Sequence, residues 1–125
     1  MIDIHTHPVM IKELMDSDPE LEKNINQFFG FHFPPQSLQN FTLELDASGV
    51  DQAVLLPIDT TSAYGCKIVS NEQVAKIVDT DSHFIGFASV DPNLVEAPRE
   101  LENAIKNLGL RGLKLDPSLQ QFYPN

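Results

Sequence analysis

The chain has 125 residues, 42% of them hydrophobic and 21% charged, which is enough apolar material for one core and too short a chain for two independent domains. Eighteen acidic residues against eight basic ones leave a formal charge of −10, which argues against a nucleic-acid backbone or an anionic membrane as natural partner. No apolar run approaches the roughly 20 residues needed to cross a bilayer. The opening Met1-Ile2-Asp3-Ile4-His5 lacks the regions of a signal peptide, and the single Cys66 can form neither an internal disulfide nor a thiolate cluster. The expectation is therefore a folded cytoplasmic protein.

Ile2 to His7 alternates apolar and polar residues and stops at Pro8, the pattern of a short strand ended by a residue that cannot continue a ladder. The stretch from Pro8 to Ser37 is far longer than the usual connection of about two to six residues, so it reads as a functional insertion. Within it, Ser17-Asp18-Pro19-Glu20 is a helix start with Asp18 as cap, and Phe28 to Pro35 is an aromatic segment that breaks the helix. Together they suggest a small helical lid over residues 8–37. Leu38, Phe41 and Leu45 predict a helix closing at Gly49, with Ser37 as N-cap. Val50 to Pro57 predicts a second strand, whose nearly continuous run Ala53–Leu56 suits burial on both faces.

Tyr64 and Gly65 read as a turn. Asn71 to Val78 places Val74, Ile77 and Val78 on one helical face, with Ser70 or Asn71 as cap. His83 to Pro92 predicts a third strand. Ala97 to Gly109 carries Leu101, Ala104, Ile105 and Leu108 at helical spacing, with proline near its start and glycine at its end. Leu110 to Pro117 predicts a fourth strand. Strands alternating with one-faced helices predict a parallel sheet covered by helices, which barrel and open doubly wound folds satisfy equally.

His5 and His7 lie two apart on the first strand, so their side chains leave the same face, near enough to share a cation. Imidazole is a strong ligand for zinc and related ions, and Asp3, on the same face, is placed to support a ligating histidine. A bare His-x-His is more often fortuitous; its place at the carboxyl end of the first strand favours the metal reading. On the fourth strand Gly112, Lys114 and Asp116 share one face and Leu113 and Leu115 the other. Lys114 needs a partner, and a structural ion pair with Asp116 or Asp91, an anionic substrate, or carbamylation and metal ligation would each supply one. Asp59, Asp91 and Asp116 all fall at strand ends, where they either ring a metal mouth or cap turns. His32 is a substrate contact or a surface residue. His83 sits at the end of the sheet opposite the site, and Cys66 has no histidine positioned by local sequence to activate it.

Four segments, Ile2-Asp3-Ile4-His5-Thr6-His7-Pro8, Gly49 to Pro57, Phe84 to Pro92 and Gly109 to Pro117, resemble in order the amidohydrolase-related family of metal-dependent hydrolases, which also contains decarboxylases of the aminocarboxymuconate semialdehyde type. The resemblance spans nearly the whole chain. It implies an α/β fold of the (β/α)8 TIM-barrel type, with residues 1–125 supplying about the first four β/α units, the amino-terminal half of a domain that needs about 200–250 residues. It also implies His5 and His7 as metal ligands, Asp3 behind them, and a divalent ion, usually zinc, that activates water or polarises the substrate. The family's remaining ligands come from later strands. Lys114 falls where other branches carry a carbamylated lysine, and Lys114 and Asp116 are the catalytic candidates in this chain.

Four readings follow. The first is a hydrolase whose metal-bound hydroxide attacks an amide, ester or lactone of a small polar or anionic substrate. The second, on the same scaffold, is a non-oxidative decarboxylase. The third is a non-catalytic half-barrel that pairs with itself, because an open four-stranded sheet exposes unpaired edges and an apolar face; a homo-oligomer is expected on that ground. A metal-dependent deoxyribonuclease, whose family opens with the same motif, fits the charge of −10 least.

Overall fold

The computed structural model describes residues 1–30 and 34–124. Its centre is a three-stranded parallel sheet in the order β1 (Ile2–Thr6), β2 (Gln52–Leu55) and β5 (Phe84–Gly86). Ala53, Val54 and Leu55 in the middle strand are all buried, which is why this run carries no polar alternation. Ala53 pairs with Phe84 on one side and with Asp3 on the other, and the β1–β2 register shifts between Asp3 and Thr6. That irregularity lies at the residues that bring His5 and His7 to the carboxyl end of the sheet. β1 forms the sheet edge, and Ile4 on it is 75% exposed.

The first three predicted strands therefore pair in parallel, but among the described residues the barrel-type pattern of four β/α units is not found, which overturns the barrel assignment. Two differences cause this. The fourth predicted strand shrinks to a single bridge, Ala88 to Leu113, held by hydrogen bonds from Arg111 N to Gly86 O, Ala88 N to Gly112 O and Lys114 N to Ala88 O at 2.7–2.8 Å. Gly112 lets the two segments approach: a Cβ there would stand 2.5 Å from the Phe87 ring. In addition, the connection after β2 forms its own antiparallel hairpin, β3 (Ile58–Thr60) against β4 (Cys66–Ile68), around the one-turn helix α4 (Thr61–Tyr64). Gly65 ends α4 at φ +72, a left-handed conformation that costs glycine little.

The helices follow from caps and apolar faces. Ser37 accepts Asn40 N–H at the start of α3 (Leu38–Ala47). Ser70 and Gln73 form a reciprocal capping box on α5 (Asn71–Thr80), which satisfies two otherwise unpaired amides. α6 (Ala97–Lys106) buries Ala104 completely, yet Ile105 on the face assigned from sequence is 42% exposed. The short helix α7 (Pro117–Gln120) is the last element in chain order among the described residues.

The segment read as a lid forms α1 (Lys12–Ser17) and α2 (Pro19–Phe29). Asp18 precedes α2 as expected, but its side chain makes no cap hydrogen bond and instead accepts Gln73 Nε2–H at 3.1 Å. Leu14, Leu21 and Ile25 are buried in the same cluster as Leu55, Ile58, Ile68 and Val74. At about 1.5–3 kcal/mol for each large side chain fully buried, α2 is a wall of the core and not a loose flap. His32 lies outside the described residues. No helix among the described residues is long and apolar enough to cross a membrane.

Candidate metal centre

His7 follows β1 directly and is held from the neighbouring strand. Leu56 N–H donates to Thr6 O at 2.8 Å, and the Leu56 carbonyl lies 2.8 Å from His7 Nδ1. A carbonyl only accepts, so Nδ1 carries the proton and the neutral ring keeps its lone pair on Nε2. His5 Nε2 is 3.1 Å from that atom, with the two rings edge to face at a centroid distance of 5.0 Å. One imidazole therefore donates to the other across the gap between them. Phe29, from the end of α2, stands 6.3 Å from the His7 ring and closes one side.

Burial lowers the His7 pKa below its ordinary 6.5 against the opposing pull of the Leu56 carbonyl; the positive charges of His5 and Lys114 lower it further, and Asp116 raises it. The ring is thus kept neutral, the state in which imidazole binds a metal. Two nitrogens that each lie about 2.0–2.1 Å from one tetrahedral zinc ion sit about 3.3–3.4 Å apart, so the observed 3.1 Å separation needs to open only by about 0.2–0.3 Å, and with the fixed His7 tautomer it fits a shared divalent ion. Two imidazoles are half of a tetrahedral set. Among the described residues no group of three or more His, Cys, Asp or Glu side chains is arranged to hold an ion.

The other predicted site residues divide. Asp3 is exposed, and its Oδ1 accepts the backbone N–H of His5 at 3.0 Å, so it steadies the His5 backbone instead of backing an imidazole. Lys114 and Asp116 come into the electrostatic reach of His7, with Lys114 Nζ 3.9 Å from Asp116 Oδ2. Asp116 Oδ1 also caps α7 by accepting Leu119 N–H at 3.0 Å.

Asp59 and Asp91 do not join them. Asp59 Oδ1 accepts the Thr61 N–H and hydroxyl, while its Oδ2 lies 3.0 Å from Lys67 Nζ. Burial opposes the Lys67 charge, but the hydrogen bond and charge of Asp59, helped by Glu100 and Glu72, leave its pKa raised. Asp91 is fully buried. Burial alone would raise its pKa, but Ser62 N–H at 2.6 Å and Asn93 N–H at 3.0 Å outweigh that and hold it below the usual carboxylate range. Both aspartates are turn and pairing residues. Cys66 is partly buried and contacts Thr60, with no histidine beside it among the described residues.

Sequence reasoning missed Gln120. It is completely buried; its Nε2 donates to Asp59 O at 2.9 Å and Val90 O at 2.8 Å, and its Oε1 accepts Asp116 N–H at 2.7 Å. One amide ties three segments together at the carboxyl end of the sheet. Nothing local signals this, because Leu119-Gln120-Gln121 reads as an ordinary exposed turn. Compared with known protein families and with curated proteins, the chain matches none.

Proposed function

We propose that this chain binds a divalent metal ion, zinc by preference, through His5 and His7 and serves a metal-dependent hydrolase acting on an amide, ester or lactone of a small polar or anionic molecule. The observation that carries the reading is the His7 ring, locked by the Leu56 carbonyl with its Nε2 lone pair 3.1 Å from His5 Nε2. An ion bound there supplies Lewis acidity that activates water and polarises a carbonyl.

The chain's own residues prepare that chemistry. Leu56 O fixes which nitrogen of His7 is the ligand, a support that characteristically accompanies ligating histidines. Burial and the nearby Lys114 charge keep the His7 proton off at neutral pH. His5 becomes a ligand by carrying its single proton on Nδ1 instead of Nε2, and Asp3 steadies its backbone meanwhile. Phe29 limits water on the side of His7 that it covers. Asp116, whose charge reaches His7, is the proton acceptor in this reading.

The test is an equilibrium zinc titration against a competing chelator, followed by hydrolysis of an activated ester with and without zinc. The wild-type chain should take up zinc and the His5→Ala/His7→Ala variant should not, with unfolding midpoints of the metal-free proteins similar. Zinc retained stoichiometrically by the double variant overturns the site. Zinc bound by both histidines without zinc-dependent ester turnover overturns the hydrolase reading and leaves a binding protein.

A further inference from the structure

We infer that the chain associates with itself head to tail, β1 of one copy adding to the free edge of the Leu110–Leu115 segment of another. The inference does not rest on the metal reading. Both edges of the sheet are open. On one side β1 pairs only with β2 among the described residues, and Ile2 and Ile4 along it are 53% and 75% exposed. On the other side the bridge between Ala88 and Leu113 is made by the groups that flank Leu113. Gly112 O accepts from Ala88 N–H, and Lys114 N–H donates to Ala88 O. The N–H and C=O of Leu113 itself face the other way, and neither is hydrogen-bonded among the described residues. Unpaired edges of this kind are templates for another strand.

An extended segment laid on the Leu113 edge meets a shaped surface. Leu113 is 41% exposed. With Leu115, and with Val95, Pro98 and Leu101 from α6 and the turn before it, it lines a groove of about 520 Å³ whose lining residues are all apolar. A strand added to a sheet edge gains main-chain hydrogen bonds, and its alternate side chains fill the pockets beside that edge. The β1, β2, β5 and Leu113 segments all run parallel, so β1 of a second copy continues the sheet without a change of direction.

Charge selects the occupant. Leu110 to Leu115 carries Arg111 and Lys114 and no acidic residue, although the chain as a whole carries −10. Arg111 is exposed and has no ion-pair partner among the described residues. β1 carries Asp3 and neither lysine nor arginine, and the Met1 ammonium before it is taken up by Asp51. Either edge paired with itself sets like charges side by side, which is destabilising, whereas β1 against Leu110–Leu115 sets Asp3 in the strand next to Arg111 and Lys114. Because the two edges differ, the contact is heterologous and repeats from copy to copy until a ring closes or a longer assembly grows.

The experiment is sedimentation equilibrium of chelator-treated protein over a concentration series. The wild-type mass should rise with concentration from 14.0 kDa to at least twice that value. Ile4→Lys and Leu113→Lys should each weaken association by about tenfold or more, the loss expected when an apolar anchor is removed from the middle of an interface. Mixed, the two variants should pair again, because Ile4→Lys keeps its Leu110–Leu115 edge and Leu113→Lys keeps its β1. Wild-type protein that stays at 14.0 kDa throughout overturns the inference and leaves the edges to a partner of another sequence. Association lost in only one of the two variants also overturns it, because the contact is then one edge with itself. A mixture that stays monomeric with both variants folded overturns it as well. Should Leu113→Lys fail to fold, Arg111→Glu takes its place in the same mixture, since the exposed Arg111 side chain can reverse its charge beside Asp3 without disturbing the core.

Discussion

Two histidines at opposite ends of the parallel sheet are held by opposite means. At the amino end His83, just before β5, lies between two carboxylates: Nδ1 is 2.7 Å from Asp81 and Nε2 is 3.1 Å from Asp46. At the carboxyl end His7 meets a carbonyl at Nδ1 and another imidazole at Nε2. The hydrogen bond to Asp81 raises the His83 pKa against a smaller effect of burial, with Asp46 adding to it, whereas burial lowers that of His7. Carboxylates on both nitrogens call for the imidazolium ion, which has no lone pair for a metal. A carbonyl on one nitrogen leaves the other with its lone pair, here turned toward His5. What a histidine can do is thus set by its second partner, and only the carboxyl-end pair is left with something to bind.

The sharpest way to test that contrast is to remove the carboxyl-end histidines singly. His7 is pre-oriented by the Leu56 carbonyl, while His5 is exposed, its backbone held by Asp3 and its ring met by His7. Zinc affinity should fall by more than about a hundredfold in His7→Ala, beyond the 10- to 100-fold typical of losing a support to a ligand, and by less in His5→Ala. His83→Ala should leave zinc affinity unchanged. Competition titrations check this, and equal losses at positions 5 and 7 would mean that the Leu56 contact does not prepare the site.

A second prediction concerns what holds that end together. Gln120→Leu keeps the volume but leaves the carbonyls of Asp59 and Val90 and the N–H of Asp116 without their partner. Unsatisfied buried polar groups cost about 1–3 kcal/mol each, and partial access of water at Asp116 reduces the total, so a loss near 2 kcal/mol in urea unfolding is expected. A loss below about 0.5 kcal/mol would show that the clamp is dispensable and that the carboxyl end keeps its shape without it.

Much of this architecture was legible in the sequence wherever one residue type has one local use. Ser37 and Ser70 announced their helices as N-caps, and the unbroken Ala53–Leu56 run announced a strand covered on both faces. The His5–His7 proximity followed from strand periodicity. The Ile58–Ile68 hairpin was hidden because strands of three residues show no period, and the fourth strand was overread because Leu110–Leu115 alternates without telling how few hydrogen bonds it makes. Asp59 and Asp91 sit where strand-end aspartates belong, but backbone amides and Lys67 occupy them, a choice made by distant segments. Gln120 was illegible for the same reason: its three partners lie at positions 59, 90 and 116.

The smallest expected effect separates the two ends by pH. His83 titrates higher in the folded chain than its ordinary 6.5, so its contribution to stability is fully present below pH about 6.5 and is lost as pH rises through the raised folded value. His7 titrates lower when folded, so its contribution is present above that pH and is lost as pH falls through the lowered value. Asp81 limits the His83 contact from the acid side. Burial would raise its pKa, but His83 and Thr42 hold it down, so its contribution is present above pH about 3.8 and is lost as pH falls through its lowered folded value. Urea midpoints of wild type and His83→Gln should therefore differ most near pH 5–6 and converge at higher pH as the wild-type imidazolium loses its proton. Asp46→Asn should bring that convergence to lower pH, because one of the two carboxylates is gone. The surface position of the Asp46 contact keeps the difference small and salt-sensitive. A gap between wild type and His83→Gln that stays constant across this range would mean that His83 acts by packing alone, and the two histidines would then differ in location but not in the charge that their partners select.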